Sequence, residues 1–192
     1  MMSNSLETFL LCSAALANLT SLVPSSLPCV CSTNMLVTML THPASTATSV
    51  YILEQLVTVI VNLAKLGQAR KQMVGAKVLS FLMKIFDLCQ QEQVESVIKA
   101  ATERTVSKAA IALARLCLDP VIADSLVELG GLELLYPLAE VSSQCNETIR
   151  IAALAAIKTI SVYSSVTHNL DVSSDIYYSS KEIPTSSLES FV

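Results

Sequence analysis

The chain closes with Glu189-Ser190-Phe191-Val192, and these four residues carry its most specific chemistry. A carboxylate on Val192 can be captured by a cluster of backbone N–H groups while the extended segment adds as a strand to the edge of a receptor's sheet. Alternation along such a strand points Val192 and Ser190 the same way, the aliphatic chain toward an apolar pocket and the hydroxyl toward a polar partner. Phe191 and Glu189 face outward and can modulate specificity. Phosphorylation of Ser190 would place about −1.5 to −2 charges where a neutral hydroxyl must fit. A second set of candidates sits on apolar helical segments: Asn18, Asn62, Arg115, Lys158 and Thr159. Arg115 and Lys158 suit an acidic partner, since a guanidinium offers a two-pronged fork for carboxylates. The plainer reading of Asn18, Asn62 and Arg115 is that they are solvated polar positions on amphipathic helices.

Catalytic constellations are hard to find. His42 precedes Pro43 in a Ser/Thr-rich stretch and His168 lies near the end, neither with a Cys or carboxylate at a motif spacing. Cys29-Val30-Cys31 could touch a metal, but no second Cys/His pair has zinc-ligand spacing. Neither a phosphate-binding Gly-rich loop nor a Gly-x-Ser-x-Gly elbow occurs. The expectation is a protein with no catalytic residues, no metal and no cofactor.

The elements that would position these residues follow from composition. Of 192 residues 52% are apolar and 15% charged, with four Gly, six Pro and no Trp. That excludes a disordered or collagen-like chain and favours helices over a β-sandwich. Net charge is −4, and the end of the chain (Asp171, Asp175, Glu182 and Glu189 against Lys181) carries most of it. The nearly neutral body offers no basic footprint, so nucleic acid is not an expected partner. Val50–Leu66 is the most membrane-like stretch, yet Glu54, Gln55, Asn62 and Lys65 would be costly in lipid, and no membrane insertion is expected.

Compartment signals conflict. Phe9–Ala17 imitates the apolar run of a secretory signal, and Asn18-Leu19-Thr20 and Asn146-Glu147-Thr148 fit the glycosylation pattern. Six cysteines (Cys12, Cys29, Cys31, Cys89, Cys117, Cys145) could pair in a secreted protein. No Lys or Arg precedes Lys65, however, and Glu7 stands before the apolar run. Several cysteines fall in helical stretches, where a free thiol behaves as a small hydrophobe. The reading is a protein of a reducing compartment, with a secreted, glycosylated helical protein as the alternative.

Self-similarity organises the rest. Glu7–Leu22, Ser49–Lys65, Glu103–Leu118 and Thr148–Tyr163 share a small-apolar helical face, and aligning Asn18, Asn62, Arg115 and Thr159 gives spacings of 44, 53 and 44 residues. Between them a short amphipathic stretch, a turn residue and an aliphatic helix recur: Pro120–Leu129, Gly130-Gly131, Leu132–Val141; Gln68–Val74, Gly75, Ala76–Leu88; and Pro24–Thr33, Asn34, Met35–Thr41. The long middle spacing places extra residues within Cys89–Thr102, as a longer loop or an added helical turn.

A unit of two short helices and one longer helix, with Gly between the first two and an Ala/Leu-rich third, resembles the armadillo repeat. The resemblance implies an all-α, armadillo-type α-solenoid, a right-handed superhelix over residues 1–163. A lone third helix at 7–22 is followed by about three repeats at 23–65, 66–118 and 119–163, and then by a flexible Ser-rich tail, 164–192. Third helices in such proteins line a concave surface for extended peptides. In nuclear-import members that surface carries regular Asn and Trp; Asn18 and Asn62 fit the Asn position, whereas Arg115 and Thr159 replace it and Trp is absent. A lone third helix leaves one face without a preceding repeat, so the chain is expected to be the C-terminal part of a longer protein.

The tail holds nine Ser and two Thr, and as a flexible chain spans about 30 Å. Its end resembles a class I PDZ-binding motif. An armadillo block followed by a Ser-rich tail ending Glu-Ser-Phe-Val is similar to the C-terminal region of the inscuteable family. That resemblance implies an adaptor in asymmetric cell division, cytoplasmic and at the apical cell cortex. It would link a Par-3-like PDZ-domain polarity protein to LGN/Pins-type spindle-orientation machinery, the latter through a segment that precedes the armadillo block in the family. The second reading is a generic catenin-like armadillo scaffold holding an extended peptide in its groove.

Overall fold

Helix boundaries follow local chemistry. The structure, a computed structural model, describes residues 6–33, 35–41, 49–74, 77–87, 96–140 and 146–165. In chain order these form α1 (Leu6–Leu22), a 3-10 turn (Pro24–Ser26), α2 (Leu27–Ser32), α3 (Met35–Thr41), α4 (Val50–Leu63), α5 (Gly67–Met73), α6 (Val78–Phe86), α7 (Ser96–Leu116), α8 (Pro120–Glu128), α9 (Gly131–Ala139) and α10 (Glu147–Tyr163). The fold of the described residues is all-α.

Asp119 caps α8, its carboxylate accepting from the Val121 N–H at 3.1 Å, and Pro120 fills the first helical position, where no N–H is needed. Asn146 caps α10 in the same way, accepting from the Thr148 N–H at 2.9 Å. Between α8 and α9 two glycines serve different ends. Gly130 has φ of 79°, the left-handed conformation that L side chains resist. At Gly131 a Cβ would lie 2.5 Å from Leu126 Cγ and Cδ1 and 2.9 Å from its carbonyl oxygen. One glycine turns the chain and the other lets two helices touch.

Two elements differ in detail from the sequence pattern. The stretch from Pro24 divides into a 3-10 turn and a six-residue α2, with Pro24 and Pro28 each near the start of an element, where a missing N–H is harmless. The extra residues of the middle repeat lie partly in helix: α7 has 21 residues, whereas α4 has 14 and α10 has 17. The turn residues Asn34 and Gly75, and residues 88–95, lie outside the described residues.

Packing runs along the chain. The long helices α1, α4, α7 and α10 each pack on the next, and the shorter helices pack onto the long helix that follows them: α3 on α4, α6 on α7, α9 on α10. Small side chains permit the close approach. The buried faces include Ala109, Ala110, Ala112 and Ala114 on α7 and Ala152, Ala153, Ala155 and Ala156 on α10. Larger residues (Leu56, Ile60, Leu82, Leu113, Leu126, Leu135) fill the space between, in one continuous core.

The glycine pair yields a stability test by urea unfolding. Gly131→Ala is expected to cost roughly 1–3 kcal/mol, because Leu126 must move in a packed core. Gly130→Ala should cost about 1 kcal/mol, the price of a left-handed alanine. Unchanged stability for Gly131→Ala would contradict the packing described.

Candidate functional site

Polar side chains buried between long helices are the unusual chemistry of this core, because a polar group leaving water must find a partner. Asn62, on α4, is buried and donates from Nδ2 to Thr20 Oγ1 at 3.1 Å and Ser21 Oγ at 2.8 Å, both on α1. Arg115, on α7, is buried and donates from Nη1 to the Val61 carbonyl of α4 at 3.0 Å. Burial pulls its pKa below the ordinary arginine value, though the guanidinium keeps its charge. Asn18 is exposed on α1. Lys158 and Thr159 are half-buried on α10, where the Thr159 hydroxyl donates to the Ala155 carbonyl at 2.9 Å.

The five positions therefore differ. The expectation of solvated polar side chains holds for Asn18 and fails for Asn62 and Arg115, because the long helices stack so closely that these positions meet the preceding helix. Asn62 and Arg115 form successive rungs, α1 to α4 and α4 to α7.

The strongest electrostatic feature lies two to three turns earlier on the same helices. Glu54 is buried on α4 and accepts from Arg104 Nε at 2.9 Å, Arg104 Nη2 at 3.1 Å and Lys108 Nζ at 3.1 Å, both partners being on α7. Lys108 also donates to Thr58 Oγ1 at 2.9 Å. Burial disfavours the Glu54 anion, but the hydrogen bonds and charges of Arg104 and Lys108 outweigh it and leave the carboxyl below its usual range. In the sequence Glu54 registered only as a charge unsuited to lipid. The signal was available: shifting Glu54 by the 53-residue repeat offset lands on Ser107, between Arg104 and Lys108.

Beside this cluster an open cleft of about 320 Å³ separates α7 from the start of α10, lined by Glu103, Arg104, Ser107, Lys108, Asn146 and Thr148 among others. Asn146 Nδ2 donates to Glu103 Oε2 across it at 3.4 Å. Past α10, Asp124 of α8 accepts from Ser164 Oγ at 2.7 Å, from the Ser165 N–H at 2.8 Å and from Ser165 Oγ at 2.9 Å. The chain thus stays fastened two residues beyond Tyr163, where the sequence had placed the start of the tail.

Cys31 and Cys117 are buried free thiols whose pKa burial raises; Cys12 and Cys29 are free and exposed. Among the described residues no three His, Cys, Asp or Glu gather as they would for a metal ion, and no single helix is long and apolar enough to cross a membrane. His42, His168, Cys89, Cys145 and Glu189–Val192 lie outside the described residues.

Fold and polar bridges together define a class: an all-α protein whose long helices pack in succession, with buried polar side chains tying α1 to α4 and α4 to α7. Within that class the chain belongs to the inscuteable C-terminal family, whose model, described as "Protein inscuteable C-terminal", matches residues 2–176. The chain is 29% identical over 158 residues to the protein inscuteable homolog of Mus musculus and 28% identical over 158 residues to that of Homo sapiens. In each case the match covers 80% of this chain and 27% of the relative, so the chain spans about a quarter of the length of these relatives. No solved structure matches it.

Glu54 supplies a pH test. Its folded pKa is depressed, so its stabilisation is complete above the unfolded carboxyl value of about 4.3 and is lost as pH falls through the lower folded value. Glu54→Gln is expected to cost about 1–2 kcal/mol near neutral pH, below the fully buried case because Arg104 and Lys108 reach water. The difference from the parent, followed by denaturation across pH, should shrink in acid. A constant difference down to acid would show that the ion cluster does not stabilise the fold.

Proposed function

We propose that this chain is the partner-binding block of an adaptor in asymmetric cell division. In this reading residues 1–163 form an armadillo-type α-solenoid in three repeats after a lone third helix, and the segment that follows presents Glu189-Ser190-Phe191-Val192 to a PDZ domain of a Par-3-like polarity protein. The adaptor works in the cytoplasm at the apical cell cortex. It joins the polarity complex to LGN/Pins-type spindle-orientation machinery, which the family contacts through a segment preceding this block.

Membership of the inscuteable C-terminal family supports the division context. One structural observation supports the solenoid most directly. The side-chain bonds between distant elements join residues about one repeat apart: 40 for Ser164 to Asp124, 41 for Cys31 to Gln72, 42 for Asn62 to Thr20, 43 for Asn146 to Glu103, 50 for Arg104 to Glu54 and 54 for Arg115 to Val61. Bonding at one repeat's separation is what a stack with nearest-neighbour interfaces requires. Such a stack offers an extended surface and a tethered end, which suits holding two partners.

Deleting Phe191 and Val192 is expected to abolish capture of the chain by a Par-3-type PDZ domain while leaving its thermal unfolding unchanged. Undiminished capture would favour the catenin-like scaffold reading, in which the groove and not the tail binds. A peptide of residues 183–192 with a free carboxylate should bind the PDZ domain. The same peptide amidated, or phosphorylated on Ser190, should bind at least about tenfold more weakly. Equal affinities for all three would end the reading of residues 189–192.

A further inference from the structure

The near-neutral body of the chain is the sum of two segregated stretches. From Gln55 to Phe86 there are five Lys or Arg and no acid; from Leu116 to Ile149 there are six acids and no Lys or Arg. The first stretch contains α5 and α6, the second α8 and α9. Lys71, Lys77 and Lys84 are exposed along the first pair, and Glu128, Glu133 and Glu140 along the second. Among the described residues no ion pair engages any of these three lysines. The oppositely charged helices lie in one layer: α6 packs on α7 and α9 on α10, α7 packs on α10, and α6 touches α9. They also match in spacing and burial, since Leu79, Leu82, Ile85 and Phe86 of α6 answer to Leu132, Leu135, Leu138 and Ala139 of α9, all buried. Their outer faces therefore point the same way, and a basic ridge runs beside an acidic one. Neighbouring helix axes lie about 8–10 Å apart, close to one Debye length at physiological salt.

We propose that this two-signed face docks a second copy of the chain, α6 of each copy lying on α9 of the other about a two-fold axis along the α6–α9 boundary. Charge complementarity selects that occupant. A face with one sign on each side of a line is self-complementary about that line: the rotation lays the basic ridge on the acidic one and the acidic on the basic, in a single isologous contact. Lys77 and Lys84 of one copy face Glu133 and Glu140 of the other. The same rotation brings matching turns together. Val74 is the C-cap residue of α5 and Leu129 that of α8, 41% and 50% exposed, so an apolar contact forms on each side of the axis. Asp87, the one exposed acid on the basic ridge, stands at the very end of α6, at the rim of the contact. A lipid surface or a nucleic acid is the poorer occupant. Either carries one sign throughout, and laid on α6 it meets the acids of α9 within a Debye length. Exposed ion pairs are individually weak and screened by salt, so the association is modest and salt-dependent.

Sedimentation of the full 192-residue chain at low salt is expected to show a dimer at high micromolar concentration that dissociates at about 0.5 M salt. Lys77→Glu with Lys84→Glu turns the face acidic on both sides, and Glu128→Lys with Glu133→Lys turns it basic on both. Each double variant alone should lose at least about tenfold in self-affinity, because like charges then meet. An equimolar mixture of the two should associate again, as a heterodimer. All four side chains are exposed in the single chain, so helical circular dichroism should be unchanged, and recovery in the mixture itself requires both variants to be folded. A parent chain that stays monomeric at high micromolar concentration in low salt overturns the proposal. So does a dimer indifferent to salt or to both double variants, or a mixture that fails to associate. A monomeric parent held by phosphatidylserine vesicles or by DNA through Lys77 and Lys84 would overturn it too, giving the ridge to an anionic partner. Monomer with intact PDZ binding of the tail would leave the adaptor reading standing and remove only the self-association.

Discussion

Among the described residues no long helix buries its apolar face alone: α1, α4, α7 and α10 each pack on the next, and α3, α6 and α9 close over the long helix that follows them. That constraint explains why the long helices are rich in alanine where they touch. Ala109, Ala112 and Ala114 on α7 and Ala152, Ala155 and Ala156 on α10 are almost wholly buried. Bulkier side chains there would push the helices apart and open voids, each losing both contact and apolar burial. On the short helices leucine fills the core instead, at Leu82, Leu126 and Leu135, which lie deep in it.

An apolar interface of this kind is strong and poorly directional, since one alanine face slides easily on another. Buried polar bridges supply what it lacks. Glu54 meets Arg104 and Lys108, Asn62 meets Thr20 and Ser21, and Arg115 meets the Val61 carbonyl. Slipping α7 by one turn on α4 would leave Glu54 buried without its cations, which costs far more than the pair contributes when formed. The bridges add little net stability and fix which residue faces which. For the same reason the sequence positions singled out as ligand-binding candidates, Asn62 and Arg115, spend their hydrogen-bonding capacity inside the stack.

Much of the architecture was legible in the sequence because it rests on local and periodic signals. Asp119-Pro120 and Gly130-Gly131 mark a start and a turn through backbone chemistry that operates over a few residues. The alanine-rich faces at offsets of 44 and 53 residues marked the helices that stack. What escaped depends on pairing across the stack. A lone Glu54 in an apolar helix looks like a defect until Arg104 and Lys108 are placed one repeat away. Asp124 gave no hint of holding Ser164 and Ser165, because a carboxylate on an exposed helix edge has many possible uses. Asn62 was visible but misread as solvated, since its exposure depends on how close α1 approaches, a distance that composition does not encode.

The Asp124 clamp has a consequence for the proposed adaptor. Ser164 and Ser165 are both fastened to Asp124 of α8. What the clamp sets is direction: Ser164 is fully buried and extended, so Ser164 and Ser165 lie against α8 rather than continuing along the axis of α10. A continuing helix would carry the end away from the stack along a fixed line. Asp124 instead gives the Ser164 hydroxyl and the Ser165 N–H and hydroxyl a partner on α8, so the last described residues are held by a neighbouring helix and not by a further turn of α10.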